Sequence, residues 1–240
     1  MGSVGFTACN HALHRVRLRH VTRVARLPGM KITFLGYGNV GAPLADHLQR
    51  AGHDVTLASN DTSSETLKKA LARNPGLRSA PTDEAVRGAE VVFLATPFGA
   101  NESVVGPLAD ALAGKVLVDC TNPVGPGLSH GLGSTRAGAE VVQSLAPAAK
   151  VVKSFSIYGF ENFEDNRFPG HDVKPVMMFC GADATARATV ARLVADLGWE
   201  PLDVGGIEQA LHLEHMTLLW IRMVRVHKHS PHLVWAALRR

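Results

Sequence analysis

The chain has few of the residues that disulfide-built proteins need and no segment typical of membrane-spanning ones. Only three cysteines occur in 240 residues (Cys9, Cys120 and Cys180), and they form no CxxC pair. This wide spacing excludes a disulfide framework and is typical of free thiols in a reducing compartment, so we expect a cytoplasmic protein. No apolar run approaches the roughly 20 residues that cross a bilayer, and we therefore expect no membrane partner.

Acidic residues are missing from the first 29 positions, which carry five arginines: Arg15, Arg17, Arg19, Arg23 and Arg26. These arginines outnumber the formal net charge of +4, so the rest of the chain is slightly acidic. The basic character therefore belongs to an appendage and does not indicate a nucleic-acid partner. An Arg-rich, acid-free start is typical of an organellar transit segment. A natural start at Met30, preceded by a disordered extension over residues 1–29, is the favoured interpretation, because the first strand begins directly after Met30.

The most informative stretch of the chain is a glycine pattern between a strand and a helix. An apolar strand, Ile32 to Leu35, runs into Gly36-Tyr37-Gly38-Asn39-Val40-Gly41, and a helical run follows. A Gly-x-Gly-x-x-Gly pattern is common by itself, but this context makes it a dinucleotide-binding fingerprint. Gly36 permits the tight turn, Gly38 lets the backbone approach a pyrophosphate, and Gly41 allows close helix–sheet packing. The phosphates would lie at the positive end of the helix.

Strands and helices alternate over most of the chain. The pattern predicts strands at 54–58, 77–80, 90–95, 115–119 and 151–155, with helices at 63–73, 82–88, 101–112 and 135–145 between them. Such alternation predicts an α/β fold with a doubly wound, Rossmann-type parallel sheet. After residue 155 an aromatic, irregular segment precedes strands at 175–180 and 199–204, a helix at 184–197 and a long helix at 207–226. We therefore expect a dinucleotide-binding domain over residues 30–155 and a smaller C-terminal α/β lobe for substrate and dimerisation over residues 156–240.

Candidate ligand-binding residues follow the fourth and fifth predicted strands. In an open α/β sheet, ligands bind beyond the carboxyl ends of the strands. This rule selects Thr96 and Pro97 after one strand, and Asn122 and Pro123 after the next. Thr96 and Asn122 have small polar side chains that suit a ribose or a carboxamide, although each could instead cap a turn.

The end of the second strand bears on the choice between NAD and NADP. An Asp or Glu there binds the ribose 2′-hydroxyl of NAD, whereas an Arg accommodates the 2′-phosphate of NADP. This chain has Ser59-Asn60, followed by Asp61, which would repel a phosphate. Neutral donors suit a phosphate better than they replace a carboxylate, and Lys68 and Lys69 lie one or two helical turns on. The pattern favours NADP and leaves NAD open.

Four segments together resemble one family. They are residues 31–41 with Ser59, the strand that ends in Thr96-Pro97, the run Asp119-Cys120-Thr121-Asn122-Pro123, and Val152-Lys153-Ser154-Phe155. The combination resembles the NADP oxidoreductases that depend on the deazaflavin coenzyme F420, whose dinucleotide module is shared with the cytosolic domain of six-transmembrane metalloreductases. The resemblance covers about residues 30–225, including the closing helix at 213–221.

The resemblance implies roles for named residues. Gly38, Asn39 and Val40 would hold the pyrophosphate, and Ser59 and Asn60 would face the adenosine ribose. Thr96, Pro97 and Asn122 would border the nicotinamide end. It also implies a homodimer, NADP as cofactor, and a deazaflavin or flavin as co-substrate. The family usually has Ser-Arg where this chain has Ser59-Asn60, and a short Asn-Thr turn where this chain has the aromatic run 156–163.

Hydride transfer to a small-molecule acceptor is the function that these patterns favour, and catalysis is then mostly positioning. A deazaflavin acceptor needs no strong acid. The alternative, reduction of an imine or carbonyl, needs a proton donor, for which Tyr158, His212 and His215 are candidates. A third interpretation is a regulatory protein that binds NAD(P) without turnover. The histidines of the run 227–232 lack the ordered spacing of a zinc site, so we predict no metal.

Overall fold

The first half of the chain alternates strands and helices as predicted. The structure is a computed structural model that describes Gly2 and residues 28–240, so most of the extension predicted to be disordered lies outside the described residues. The first elements are β1 (Lys31–Leu35), α1 (Gly41–Arg50), β2 (Asp54–Ala58), α2 (Glu65–Arg73), β3 (Arg78–Ala80), α3 (Thr82–Gly88) and β4 (Val91–Leu94). Ser64 caps α2, because its hydroxyl accepts the N–H of Leu67.

The middle of the chain is more broken than its pattern predicts. Its elements are α4 (Asn101–Val105), α5 (Ala109–Leu112), β5 (Val116–Asp119), β6 (Val124–Gly125), β7 (Ser129–His130), α6 (Gly138–Leu145) and β8 (Lys150–Lys153). The single helix predicted over 101–112 is interrupted by a 3-10 turn, Gly106–Leu108. Pro107 lies in that turn and lacks the N–H that a continuous α-helix would use. The Gly/Pro-rich loop after β5 contains a small antiparallel hairpin, β6–β7.

The last part of the chain returns to the same sheet. It comprises α7 (Glu161–Glu164), β9 (Val176–Gly181), α8 (Ala184–Asp196), β10 (Glu200–Asp203) and α9 (Ala210–Ile221). The long helix predicted over 207–226 is α9 flanked by a 3-10 turn, Ile207–Gln209, and a π-helical turn, Arg222–Val226. The last strand of the predicted nucleotide domain is shorter than expected, since β8 ends at Lys153 and Phe155 has a positive φ of 52°. A left-handed residue cannot continue a strand.

One sheet of eight strands organises the molecule, in the order β10-β9-β8-β5-β4-β1-β2-β3. Every neighbouring pair in it is parallel except β8 and β9, which overlap by two residue pairs, Val152↔Gly181 and Lys153↔Cys180. The predicted doubly wound α/β fold is therefore confirmed, with one antiparallel joint. The lobe predicted from residue 156 onward contributes β9 and β10 to this same sheet, and its boundary at residue 155 stays a prediction.

The central strands are buried on both faces, as the apolar runs predict for a parallel sheet. All four residues of β4 are buried. The rings of Phe34 on β1 and Phe93 on β4 stack with centroids 4.6 Å apart, and Phe155 packs against Phe93 at 5.7 Å. Aromatic burial of this kind fixes the middle of the sheet, from which the ligand-binding loops emerge. Within residues 28–240 we find no helix with the length and apolar character needed to cross a membrane.

Candidate functional site

The strand order reverses between β1 and β4, which places the glycine loop beside the end of β4. Leu35 is paired with Leu94, so Gly36 leaves the sheet next to Ala95. Gly36 has a φ of 93°, and a Cβ there would lie 2.6 Å from the carbonyl oxygen of Ala95. Only glycine fits this close approach, and the crevice at such a switch point is where open α/β sheets bind ligands.

The other two glycines of the fingerprint occupy contrasting surroundings. A Cβ on Gly41 would lie 2.1 Å from the carbonyl oxygen of Gly36, whereas a Cβ on Gly38 would meet nothing within 4 Å. Gly41 therefore serves helix packing, while the space beside Gly38 is free for a ligand. Within the described chain, α1 has no side-chain N-cap and no acidic residue in its first turn. An uncapped helix start with free space in front of it suits a pyrophosphate.

A cleft of about 700 Å³ extends from the glycine loop along the carboxyl ends of β1, β2 and β4. Gly36, Tyr37, Asn60 and Thr96 line it among the predicted site residues. Its other lining residues are Leu35, Ala58, Ser64, Thr66, Thr82, Asp83, Ser103, Val104, Pro107 and Leu108. The wall from α4 to Leu108 could not be predicted from the sequence, because nothing in the apolar pattern of a short helix marks which residues line a cleft.

Ser59 is less available to a ribose than its position suggested. Its hydroxyl donates to the carbonyl of Asp61 at 2.9 Å and accepts the Tyr37 hydroxyl at 3.0 Å, and the residue is buried. Asn60 is exposed, and its side-chain oxygen accepts the N–H of Thr82 at 2.9 Å, which leaves the amide NH₂ as a donor at the cleft. Asn60 therefore has a free side-chain donor at this end of the cleft, whereas the hydroxyl of Ser59 holds the turn together.

The charged side chains at this end of the cleft are either carboxylates or members of ion pairs. Hydrogen bonds from the Ser63 hydroxyl and backbone lower the pKa of Asp61, whose carboxylate is held in the turn. Asp83 lines the cleft and pairs with Arg87 at 2.7 Å. Lys68, which the sequence offered as a phosphate contact, is paired with Glu65 at 2.8 Å. Among the cleft-lining residues that the structure describes, none is a lysine or an arginine.

Thr96 begins a chain of hydrogen bonds that runs from the cleft into the interior. Its hydroxyl donates to the side-chain oxygen of Asn101 at 3.2 Å, and the Asn101 amide donates to the Thr121 hydroxyl at 3.0 Å. Thr121 in turn donates to Asp119 at 2.7 Å. Each group acts once as donor to the next, so the orientation of Thr96 depends on the buried Asp119. Pro97 is exposed beside Thr96.

Asn122 is half-buried and lies between β5 and the last helix. Its amide donates to the carbonyl of Ser156 at 3.1 Å, and its oxygen lies 3.2 Å from the Thr217 hydroxyl of α9. Pro123 is buried behind it, near Gly138. The structure thus brings Asn122 together with residues of the C-terminal segment, while Gly36, Tyr37, Asn60 and Thr96 line the cleft on the other side.

A fully buried charge cluster, which the sequence pattern did not predict, lies beneath these loops. The Lys153 ammonium contacts Asp119 at 3.1 Å and Glu214 at 3.2 Å, and all three side chains are at most 1% exposed. Glu214 also accepts from the His130 ring at 2.8 Å and from the Gly138 N–H at 2.9 Å. The available signals were Lys153, which follows Val151 and Val152 at the end of β8, and Glu214, which lies within the mostly apolar helix α9, because such charges are rarely buried unless paired.

The surroundings of Lys153 and Glu214 favour the charged form of each side chain. Burial lowers the pKa of Lys153, but Asp119 and Glu214 raise it more, so its pKa lies above the ordinary value. Burial raises the pKa of Glu214, but Lys153, the Gly138 N–H and His130 together bring it below the ordinary value. Burial also raises the pKa of the Cys120 thiol next to Asp119, so Cys120 is a neutral packing residue. The His130 Nδ1 faces the N–H groups of Leu132 and Ser134, which places the ring proton on Nε2, toward Glu214.

The three candidate proton donors do not meet at the cleft. The buried Tyr158 hydroxyl donates to the carbonyl of Val176 at 2.6 Å and accepts the N–H of Trp235 at 3.1 Å, so it anchors the C-terminal tail. Burial raises the pKa of Tyr158 further above neutrality. His212 and His215 are exposed on α9, and His215 contacts Ser134 at 2.9 Å. Within residues 28–240, no group of three or more His, Cys, Asp or Glu side chains could hold a metal ion.

Comparison with known proteins identifies similar chains. The family described as "NADP oxidoreductase coenzyme F420-dependent" matches residues 31–123. A solved protein of Arthrobacter sp. FB24, described as a candidate F420-dependent NADP reductase, is 31% identical; the match has a TM-score of 0.74 and covers 83% of this chain and 95% of that one. The F420-dependent NADP reductase of Methanocaldococcus jannaschii is 28% identical over 80% of this chain and 91% of its own length.

A longer relative shares only part of its length with this chain. The metalloreductase STEAP3 of Rattus norvegicus is 31% identical over 189 residues, which are 78% of this chain and 36% of that protein. The chain therefore spans about a third of that metalloreductase. The similarity extends beyond the nucleotide fingerprint, because it covers most of the residues that form the eight-stranded sheet.

Proposed function

This chain belongs to the coenzyme F420-dependent NADP oxidoreductase family, and on that premise we propose that it is a reductase that transfers hydride between NADP(H) and a flat, unsaturated acceptor of the deazaflavin kind. The observation that carries the proposal is the uncapped start of α1, with free space beside Gly38, directly after the residues Gly36 and Tyr37 that line the 700 Å³ cleft. A dinucleotide fits this arrangement because its pyrophosphate needs backbone N–H groups and close approach.

Each end of the cleft has a separate role in the proposal. The backbone of Gly38, Asn39 and Val40 holds the pyrophosphate, and Asn60 faces the adenosine ribose. Thr96 and Asn122, with Pro97 beside them, border the nicotinamide end. When bound, NADPH supplies the hydride from its nicotinamide ring. The protein's part is to hold the ring and the acceptor at reacting distance and to exclude water.

The chemistry of the bordering side chains favours an acceptor that needs no strong acid. Thr96 and Asn122 are neutral, and both are already engaged in hydrogen bonds with the protein. Tyr158, the strongest phenolic candidate for proton donation, is bonded to the backbone of Val176 and Trp235. A deazaflavin accepts hydride without a protein acid, whereas an imine or a carbonyl requires one. NADP is the proposed nucleotide and NAD the alternative, because Asn60 replaces the arginine that a 2′-phosphate prefers.

The experiment is a binding titration followed by a turnover assay. NADPH and NADH are titrated against the protein by tryptophan fluorescence, and NADPH oxidation is then followed with oxidised coenzyme F420, with FMN and with a cyclic imine as acceptors. We expect saturable NADPH binding and oxidation that depends on F420. Absence of saturable binding of either nucleotide overturns the proposal. Binding without oxidation by any acceptor leaves a regulatory nucleotide-binding protein, and turnover with the imine alone overturns the deazaflavin part.

The proposal also covers partners and location. We infer a cytoplasmic homodimer, because the described cysteines Cys120 and Cys180 are buried free thiols and because Leu219 and Val226 expose 52% and 53% of their surface near the end of the last helix. Apolar side chains exposed together are typical of protein–protein contacts. Sedimentation equilibrium tests the dimer, and a monomer at micromolar concentration contradicts it.

A further inference from the structure

The buried cluster around Lys153 connects the last helix with the loops that border the cleft. Two carboxylates, Asp119 and Glu214, contact this one ammonium group, and the backbone N–H groups of Gly138 and Ala139 compensate Glu214 from the other side. Lys153 also donates to the carbonyl of Thr121. Removing the charge of Glu214 leaves Lys153 with one counter-charge instead of two, and so changes the balance that holds Asp119 and the Thr121 carbonyl.

The first route from this cluster leads to Thr96. Asp119 accepts from both the N–H and the hydroxyl of Thr121, at 2.9 and 2.7 Å. The Thr121 hydroxyl donates its single proton to Asp119, so it can only accept the hydrogen bond from the Asn101 amide. The side-chain oxygen of Asn101 then accepts from the Thr96 hydroxyl. The direction of every bond is therefore set from the buried end. A shift of Asp119 reverses or breaks the chain that orients the Thr96 hydroxyl.

The second route runs along α9 to Asn122. Thr217 lies one turn after Glu214, and its hydroxyl donates to the carbonyl of Ser156 at 2.7 Å. The same carbonyl accepts the amide of Asn122, which fixes the plane of that side chain. The hydrogen bonds at the adenosine end of the cleft do not involve α9. There the Thr82 N–H donates to Asn60, and the Tyr37 hydroxyl donates to Ser59. A disturbance of α9 therefore reaches the nicotinamide end first.

From these two routes we infer that Glu214 and Thr217 are positioning residues for the nicotinamide half of the dinucleotide. The inference rests on the proposed function and adds residues of the last helix to the site. Neither side chain touches the ligand. They act through Lys153, Asp119 and Thr121 on Thr96, and through Ser156 on Asn122. Their loss should weaken only the part of the affinity that depends on the nicotinamide half.

The test compares the whole nucleotide with a fragment. Dissociation constants for NADPH and for adenosine 2′,5′-bisphosphate, which lacks the nicotinamide half, are measured for the wild type, Glu214→Gln and Thr217→Val. We expect affinity for NADPH to fall about tenfold in each variant, the effect of one or two lost polar contacts, while affinity for the fragment stays within about twofold. Glu140→Gln is the matched control, because Glu140 accepts the N–H of Ala137 at the same helix start, 2.7 Å away, outside the Lys153 cluster.

The outcomes separate this inference from the proposed function. If Glu214 has a purely structural role, Glu214→Gln lowers the affinities for NADPH and for the fragment equally, or changes neither affinity. Either result, in folded protein, overturns the inference. If Glu214→Gln fails to fold, Thr217→Val decides, since it removes a hydroxyl and no charge. If the wild type binds the fragment and both variants keep the wild-type affinity for NADPH, the inference is overturned while the proposed function stands. A wild type that binds neither ligand overturns the proposed function.

Discussion

At the scale of single residues, the turn after β2 is where the proposed function predicts the choice between NADPH and NADH. In the turn after β2, the hydroxyl of Ser59 is already hydrogen-bonded within the turn, and the side-chain amide of Asn60 is exposed. The carboxylate of Asp61 accepts the N–H of Ser63 in the same loop. None of these gives a 2′-phosphate the bidentate cationic contact that arginine provides. On the proposed function, we therefore expect discrimination between NADPH and NADH to depend on Asn60, at the mouth of the cleft.

Asn60→Arg is expected to shift the preference toward NADPH. A guanidinium at this position gains a charge-assisted contact with the 2′-phosphate, and the ratio of NADH to NADPH dissociation constants should rise about tenfold or more. Parallel fluorescence titrations with the two nucleotides measure the ratio. Asn60→Gln, which lengthens the side chain without charge, should leave the ratio near its wild-type value. An unchanged ratio in the arginine variant would show that the 2′-phosphate lies elsewhere.

At the scale of the element, the turn between β1 and α1 contains two glycines, Gly38 and Gly41, with opposite surroundings. Gly41 is closed in by the carbonyl of Gly36, and Gly38 faces open space without a left-handed φ. The sequence pattern predicts that Gly38 gives room to a pyrophosphate and that Gly41 allows close helix–sheet packing. The structure shows that one of them is required by the fold, while the other leaves room that the fold itself does not use.

Alanine at these two positions should therefore have opposite effects. Gly41→Ala forces α1 away from the sheet and should lower the free energy of unfolding by about 1–3 kcal/mol, as overpacking does. Gly38→Ala should leave that free energy within about 0.5 kcal/mol, as exposed substitutions do, yet abolish measurable NADPH binding. Urea unfolding and fluorescence titration of both variants provide the two measurements. A Gly38→Ala protein that binds NADPH normally would contradict the pyrophosphate assignment.

Most elements could be predicted from local patterns, and the parts that could not depend on distant contacts. The bounds of β2 and α3 follow from apolar spacing and breakers, and two residues of the glycine fingerprint, Gly36 and Tyr37, line the cleft. The end of β8 is different, because Phe155 leaves the strand to pack on Phe93, which is far away in sequence, as well as on the nearby Phe163. The roles of Lys153 and Glu214 depend on residues 61 positions apart, a separation that no local window detects.

At the scale of the whole molecule, the Lys153 cluster links the stability of the fold to pH. Glu214 joins the last helix to the sheet and to the start of α6 in one contact set. Its pKa lies below the ordinary value of 4.5, so its ionised form stabilises the native state above that pH. The stabilisation is lost as the pH falls through the lower pKa of the folded protein.

Acid should therefore narrow the difference between the wild type and Glu214→Gln. At pH 7 the variant is expected to be less stable, by about 1–3 kcal/mol, because the buried Lys153 loses a partner. As the pH is lowered below 4.5, the wild type loses the contribution of Glu214 and the variant has none to lose. Urea unfolding at a series of pH values measures the gap, and a gap that stays constant into acid would contradict the assignment of a charged Glu214.

The two-pair overlap of β8 with β9 has a consequence for how such proteins diversify. Because β9 runs against β8, the chain from Ser154 to Pro175 leaves the sheet and returns to it on the ligand side. A segment with both ends on one edge can change its length and side chains while the parallel strands keep their register. Natural variation or directed evolution confined to this segment would therefore leave the register of the parallel strands, and with it the glycine loop after β1, unchanged.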